Sequence, residues 1–540
     1  MNPQERLRSA IAAFQDALRS EIPHDRVAAV QGLLRHRDRL PRDTWLDGPP
    51  DLAFGRRLAG AGGNRALQLC LEAASDARAV PISDSVAHLD AWCARFLSAC
   101  DRLVAAERVL AHSETGFMLL ADDSAGRFDA WIATRRTPTS WRERADVSWW
   151  AAWQARPHAA ELAVSPRASD LPRSQDGDPS APHRRRAAAH LQAMAYQPGY
   201  PPDAKVGDYD FQLAMRILGE TIWRALMAHD RAGQSPVWSE RALVAEIAAA
   251  LGADPDAVRQ TVAAFAVDRE SAAYHGAVPG VAAAPLVRLD PDMLLPSLYG
   301  LTTQPLLFLT RELRRRAAQT YHNTAILRES VFRQDLYGLF ADRRFVTSAG
   351  RIELRRAAGD VRTDVDAAIF DRKSGTLAFF ELKSQDPFAR STAEAARQRD
   401  NVLYANRQIS GVLAWVQQHG ANELLARVDS RTARTFRAQK VLPFALGRYV
   451  AHFGDGPEPD RRAAWGTWPQ LLRLLDSQPI RANDANPLAS LHNRLRKDPA
   501  PIVPPADGPS QEIALGPAQL VVHPSYAAFR SRTATTSAPE

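Results

Sequence analysis

Residues 363–385, TDVDAAIFDRKSGTLAFFELKSQ, constrain this chain more than any other stretch, because two short apolar runs there carry carboxylates and a lysine on either side of a turn. Runs of this length, bounded by turn residues, predict paired strands. Residues two apart in a strand share a face. Asp364, Asp366, Ala368 and Phe370 therefore share one face of the first strand, and Leu377, Phe379, Glu381 and Lys383 share one face of the second. Arg372-Lys373-Ser374-Gly375 supplies glycine where a turn needs positive φ. If all four form the loop, Asp371 pairs with Thr376, which sets Asp366 opposite Glu381 and Asp364 opposite Lys383. A two-residue Ser-Gly turn sets Asp366 opposite Lys383 instead. Either register gathers the acids and the lysine on one face, with opposed Cβ atoms about 5 Å apart.

Two carboxylates that close repel, and in a half-buried sheet they cost stability unless a cation lies between them. Oxygen ligands completed by water are what Mg²⁺ or Mn²⁺ requires. A lysine alongside serves to orient or deprotonate a water, or to stabilise charge developing on a phosphoryl group. Together these parts describe metal-assisted hydrolysis of a phosphodiester. Lys205, Lys373, Lys383, Lys440 and Lys497 are the only lysines, every other basic residue being arginine, so composition alone does not put Lys383 beside Glu381.

At these residues the chain resembles the PD-(D/E)xK nuclease superfamily, whose restriction-endonuclease-like fold carries an acid on one strand and E-x-K at the end of the next. Here those are Asp366 and Glu381-Leu382-Lys383. The resemblance implies that Asp366 and Glu381 bind the metal, that the backbone carbonyl of Leu382 adds a ligand and that Lys383 serves the water; Asp364 is the less favoured acid. It also implies a preceding helix with an acid facing the site. Residues 325–340 set Ala325, Phe332, Leu336, Leu339 and Phe340 on an apolar side that includes Glu329, with Arg333 near enough to pair with it.

After the lysine, Ser391-Thr392-Ala393-Glu394 forms a capping box for a helix running to about residue 419, striped by Val402, Ala405, Ile409, Val412 and Val416. Gln398 continues that stripe and is an accessory candidate, although the Q-x-x-x-Y of some members is absent: position 402 is Val, and the tyrosine is Tyr404. Arg390, Arg397, Arg399 and Arg407 are candidates for phosphate contact. With its flanks the resemblance covers about 140 of 540 residues. Without it, FFELK is an edge strand capped by solvated charges.

A chain of 540 residues exceeds one hydrophobic core, and 45% hydrophobic residues make it globular. The expected fold class is multidomain, with mostly α N-terminal regions followed by an α/β restriction-endonuclease-like domain, a central mixed sheet flanked by helices. Residues 1–163 read as a helical domain with a hairpin at 116–133, and Trp141, Trp149, Trp150 and Trp153 as helix packing. Residues 164–205 read as a Pro/Ser-rich linker in which Arg184–Arg186 is a solvated charge run. Residues 206–318 read as a second helical region with a helix-turn-helix-like hairpin, residues 319–455 as the nuclease-like domain, and residues 456–540 as a Pro-rich, partly disordered tail with a short helix at 467–476.

A formal charge of +7 admits nucleic acid, DNA foremost, as partner. Cys70, Cys93 and Cys100 form no metal or disulfide framework, and no apolar run approaches the ~18 residues of a membrane span. The expectation is a cytoplasmic protein with no membrane partner, with the helical regions open to a protein partner or a homo-oligomer. By analogy of architecture, such chains serve bacterial defence or DNA processing. The rival classes are a nuclease fold retained only for binding, and a helical regulator with an accessory α/β domain.

Overall fold

A computed structural model describes residues 2–38, 61–73, 89–114, 118–123, 125–132, 149–150, 152–163, 178–195, 197, 199–232, 236–276, 283–355, 361–385, 392–453, 457–481, 483–498 and 510–523. It mixes helix and sheet throughout. Among these residues no helix is long and apolar enough to cross a membrane, and Cys70, Cys93 and Cys100 are buried thiols.

The N-terminal helix Pro3–Ser20 opens on a capping box of Asn2 and Glu5 and buries Leu7, Ile11, Phe14 and Leu18, the stripe its spacing predicts. Strands Met118–Asp122 and Arg127–Ile132 form the expected hairpin. The sheet they begin is completed from the far end of the chain, by Gln511–Leu515 and Ala518–His523, which turn at Gly516 with φ 66°. The described residues of the expected Pro-rich tail, 457–481, 483–498 and 510–523, thus carry regular structure. Besides the helix Trp468–Ser477, near where one was expected, they hold strand Ala464–Thr467 and helix Pro487–Lys497, capped by Asn486. The alternation in QEIALGPAQLVVH is the physical reason, and its Pro-rich flank hides it. Trp149 and Trp153 stack with ring centres 6.0 Å apart beside buried Trp150, as helix packing requires, while Trp141 lies outside the described residues.

The expected linker also contains structure. Ala181–Met194 is a helix, in which Arg184 pairs with Glu220 and lies over Trp223 while Arg186 is buried beside Asp230. Further on, Glu240–Leu251 and Pro255–Ala264 form the helical pair, capped by Ser239 and Asp254 around Gly252 in the left-handed region. A helical description omits the four-stranded sheet packed beside them, whose hairpin Leu286–Asp290/Met293–Pro296 makes a wing. The hairpin carries Asp290 and Arg288, Asp292 accepts the backbone N–H of Arg241 at the start of the first helix, and Arg259 on the second helix pairs with Asp256 at 2.7 Å.

The α/β unit is numbered here from its own start. Helix α1 (Ala325–Gly338) precedes β1 (Phe345–Thr347), the hairpin strands β2 (Ile352–Arg355) and β3 (Val361–Val365), and then β4 (Ala367–Asp371) and β5 (Thr376–Lys383). Helices α2 (Thr392–Leu403) and α3 (Ala405–His419) lead on to β6 (Lys440–Gly447) and β7 (Ala464–Thr467), and α4 (Trp468–Ser477) and α5 (Pro487–Lys497) follow. The mixed sheet runs β7-β6-β5-β4-β1; β4 is antiparallel to both neighbours, and β5, β6 and β7 are mutually parallel.

Helices cover both faces. Phe332 and Leu336 of α1 pack with Ala378, Phe380 and Leu382, whereas Ile409 and Val412 of α3 pack with Leu377 and Phe379. Each fully buried Phe contributes about 1.5–3 kcal/mol, enough to forbid a one-residue slip that would exchange the faces. The turn takes the four-residue register, with Asp371 opposite Thr376 and Gly375 at φ 63°. Asp371 anchors it by accepting two hydrogen bonds from Arg344, at 2.6 and 2.7 Å.

Candidate active site

The ladder between β4 and β5 ends at Ala367 opposite Phe380, and Asp366 stands at the break between β3 and β4. Beyond the break the chain changes partner, and β3 pairs with β2 rather than β5. Face parity is lost there: Val365 packs with Ala368, not with Ala367. Asp364 therefore does not pair opposite Lys383. It lies opposite Glu353 and forms an ion pair with Arg351 at 2.5 Å. Parity fails because a strand that leaves one sheet for another must twist between them.

Asp366 and Glu381 do meet. Asp366 is 3% exposed and Glu381 0%. The Oδ2 of Asp366 accepts the backbone N–H of Leu382 at 2.8 Å, which fixes the carboxyl against the end of β5. Arg333 of α1 donates to the backbone carbonyl of Asp366 and pins the strand break, so it is committed to the main chain. Neither carboxyl oxygen of Glu381 accepts an N–H or hydroxyl donor, and its hydrogen-bonding neighbour is the Asp366 carboxyl, with which it can share a proton. Its nearest cation is the Lys383 ammonium, 3.7 Å away. Burial pushes Glu381 well above the usual carboxylate range and the neighbouring Asp366 carboxyl adds to the shift; burial also raises Asp366.

Lys383 is held by a residue the sequence pattern did not single out. Its Nζ donates to Oε1 of Gln408 at 2.7 Å. The expected helix over 391–419 is two helices, divided at Tyr404, and nothing in the local composition accounts for the division. Gln398 sits half-buried on α2, while buried Gln408 shares its face of α3 with Ala405, Ile409 and Val412. A glutamine within that apolar stripe was the available clue.

Glu329 on α1 is half-buried, and burial, then the charge of Asp366, raises its carboxyl. It stands within electrostatic reach of the pair. Arg448, just after β6, ties α1 to the strand ends: its N–H donates to the Lys383 carbonyl at 2.7 Å, and its guanidinium bonds Asp335 among Trp150, Phe332 and Trp468. Arg397 and Arg407 are exposed, Arg399 pairs with Asp400, and Arg390 lies outside the described residues.

Among the described residues no group of three or more His, Cys, Asp or Glu side chains is drawn together to hold a metal. The local donor set is nevertheless of the right chemistry for a hard cation: two buried carboxylates, one with both oxygens unsatisfied. Comparison of the chain with protein-family models, with curated proteins and with solved structures returned no match.

Proposed function

We propose that this chain is a metal-dependent nuclease that hydrolyses nucleic-acid phosphodiesters, DNA foremost, in the manner of an endonuclease of the PD-(D/E)xK kind. What carries the proposal is Glu381: a wholly buried carboxyl that accepts no N–H donor, set against a second buried carboxyl and a lysine. Its cationic neighbour is a lysine 3.7 Å away, and a buried carboxyl so sparsely supplied with donors is characteristic of functional sites.

Asp366 and Glu381 would hold Mg²⁺ or Mn²⁺, with the Leu382 carbonyl and water completing the shell and Glu329 on its flank. When bound, the cation supplies Lewis acidity and a more acidic water. The chain's own residues do the rest. The Leu382 N–H and Arg333 fix Asp366, and Gln408 fixes Lys383. Of the three N–H donors of Lys383 one is spent on Gln408, leaving the others for Glu381 and for a phosphoryl oxygen as negative charge develops on it. Tight burial excludes bulk water and so strengthens each of these interactions. The buried thiols agree with a reducing cytoplasm.

The test incubates the full chain with supercoiled plasmid and with linear and single-stranded DNA, with EDTA, Mg²⁺ or Mn²⁺. Cleavage is expected only with metal, reduced at least about 100-fold in Asp366→Ala, Glu381→Ala and Lys383→Ala. No cleavage of any substrate, or mutants as active as wild type, overturns the proposal.

A further inference from the structure

The two large apolar side chains that stand exposed among the described residues are Tyr404, at 53%, and Ile326, at 63%. Each lies one helical turn from a residue of the candidate site. Tyr404 is four residues before Gln408, and the Gln408 N–H donates to the Tyr404 carbonyl, so both belong to one continuous helical turn. Ile326 is three residues before Glu329 on α1. Positions three or four apart share a helix face, and one turn rises about 5.4 Å. The Arg407 guanidinium lies 5.9 Å from the Tyr404 ring centre, and Arg397 is exposed on the preceding helix. An exposed aromatic ring interleaved with arginines is what a base-stacking, phosphate-tracking surface needs.

The depth of the site points the same way. Lys383 has only 14% of its side chain exposed, and Asp366 and Glu381 less. So enclosed a site is reached more readily by an unpaired strand, which can bend and splay its bases, than by a duplex.

We infer that the substrate is engaged as an unpaired strand, with a base stacked on Tyr404, the adjoining phosphate met by Arg407, and Ile326 closing the opposite side. This rests on the proposed nuclease function, naming its substrate class. It commits the exposed pair to nucleic acid rather than to a protein partner.

The test measures binding separately from cleavage. The full chain in EDTA is titrated with a fluorescent single-stranded oligonucleotide and with its duplex, using wild type, Tyr404→Ala, Tyr404→Phe and Ile326→Ala. Single strand is expected to bind more tightly than duplex. Tyr404→Ala should weaken it by about tenfold, Tyr404→Phe by less than threefold because the ring is kept, and Ile326→Ala by an intermediate factor. Circular dichroism checks that the variants fold; this surface position buries little, so all should. Equal binding of duplex and single strand, or a Tyr404→Ala variant that binds single strand as well as wild type, overturns the inference and leaves the ring to protein contact. If the chain cuts duplex DNA with metal but fails this binding test, the inference falls and the nuclease function stands. If Tyr404-dependent single-strand binding occurs without cleavage under any metal, the reverse holds.

Discussion

Glu312 and Glu381 are the same residue type, both wholly buried, and the protein treats them oppositely. Glu312 accepts hydrogen bonds from Arg315 at 2.7 and 2.8 Å, from Arg316 at 2.6 Å, and contacts His275 at 2.9 Å. Despite burial, those donors lower its pKa to about 2. Glu381 receives no N–H donor and faces only the Asp366 carboxyl and the Lys383 ammonium, and burial raises it well above the usual range. One carboxylate is a finished structural joint between helices. The other lacks such donors, and that lack, not its burial, is what sets the proposed site apart from a clasp.

The largest expected contrast lies in the two isosteric amides. Glu312→Gln removes an anion from between cations and should destabilise the metal-free protein by about 3 kcal/mol in chemical denaturation. Glu381→Gln relieves a carboxylate that has no donor, and should leave stability unchanged or raise it. Equal losses in both would erase the distinction.

The pH dependence should carry opposite signs. The folded-state pKa of Glu312 lies below its unfolded value, so its contribution is present above the ordinary Glu value of about 4.3 and is lost as pH falls toward about 2. The folded-state pKa of Glu381 is raised, so the native state binds more protons and stability falls as pH rises above about 4.3. Denaturation midpoints in EDTA should therefore flatten above that pH in Glu381→Gln and below it in Glu312→Gln. Unchanged profiles in both variants contradict the account.

The smallest effect belongs to Gln408→Ala. Losing one hydrogen bond to Lys383 should cost about 1 kcal/mol of stability and lower metal-dependent cleavage by less than the loss of Lys383 itself. A cleavage defect equal to that of Lys383→Ala would move Gln408 from a support to a participant.

How much of this was legible follows from how locally each feature is encoded. The opposed faces of β5 rest on alternation and can be read directly, whereas the turn left two registers open and the fold takes the one with Asp371 opposite Thr376. The caps at Ser239 and Asp254 can also be read directly. What could not be read depends on distant partners. Asp364, the less favoured acid, shared the strand parity of Asp366 until the chain changed sheets between them. Gln408 became the partner of Lys383 only through the placement of α3 against β5, and Glu312 acquired its donors partly from the separate helix Ala272–Gly276. Strands 511–523 found their sheet at residue 129, almost 400 positions earlier.

If Glu381, beside Asp366, is kept short of donors for a cation, calorimetric titration of Mn²⁺ into the metal-free full chain shows it most directly. The account predicts saturable binding with release of protons from the raised carboxyls, abolished in Glu381→Gln and preserved in Asp364→Asn. Absence of saturable binding, or a Glu381→Gln variant that binds Mn²⁺ like wild type, would contradict it.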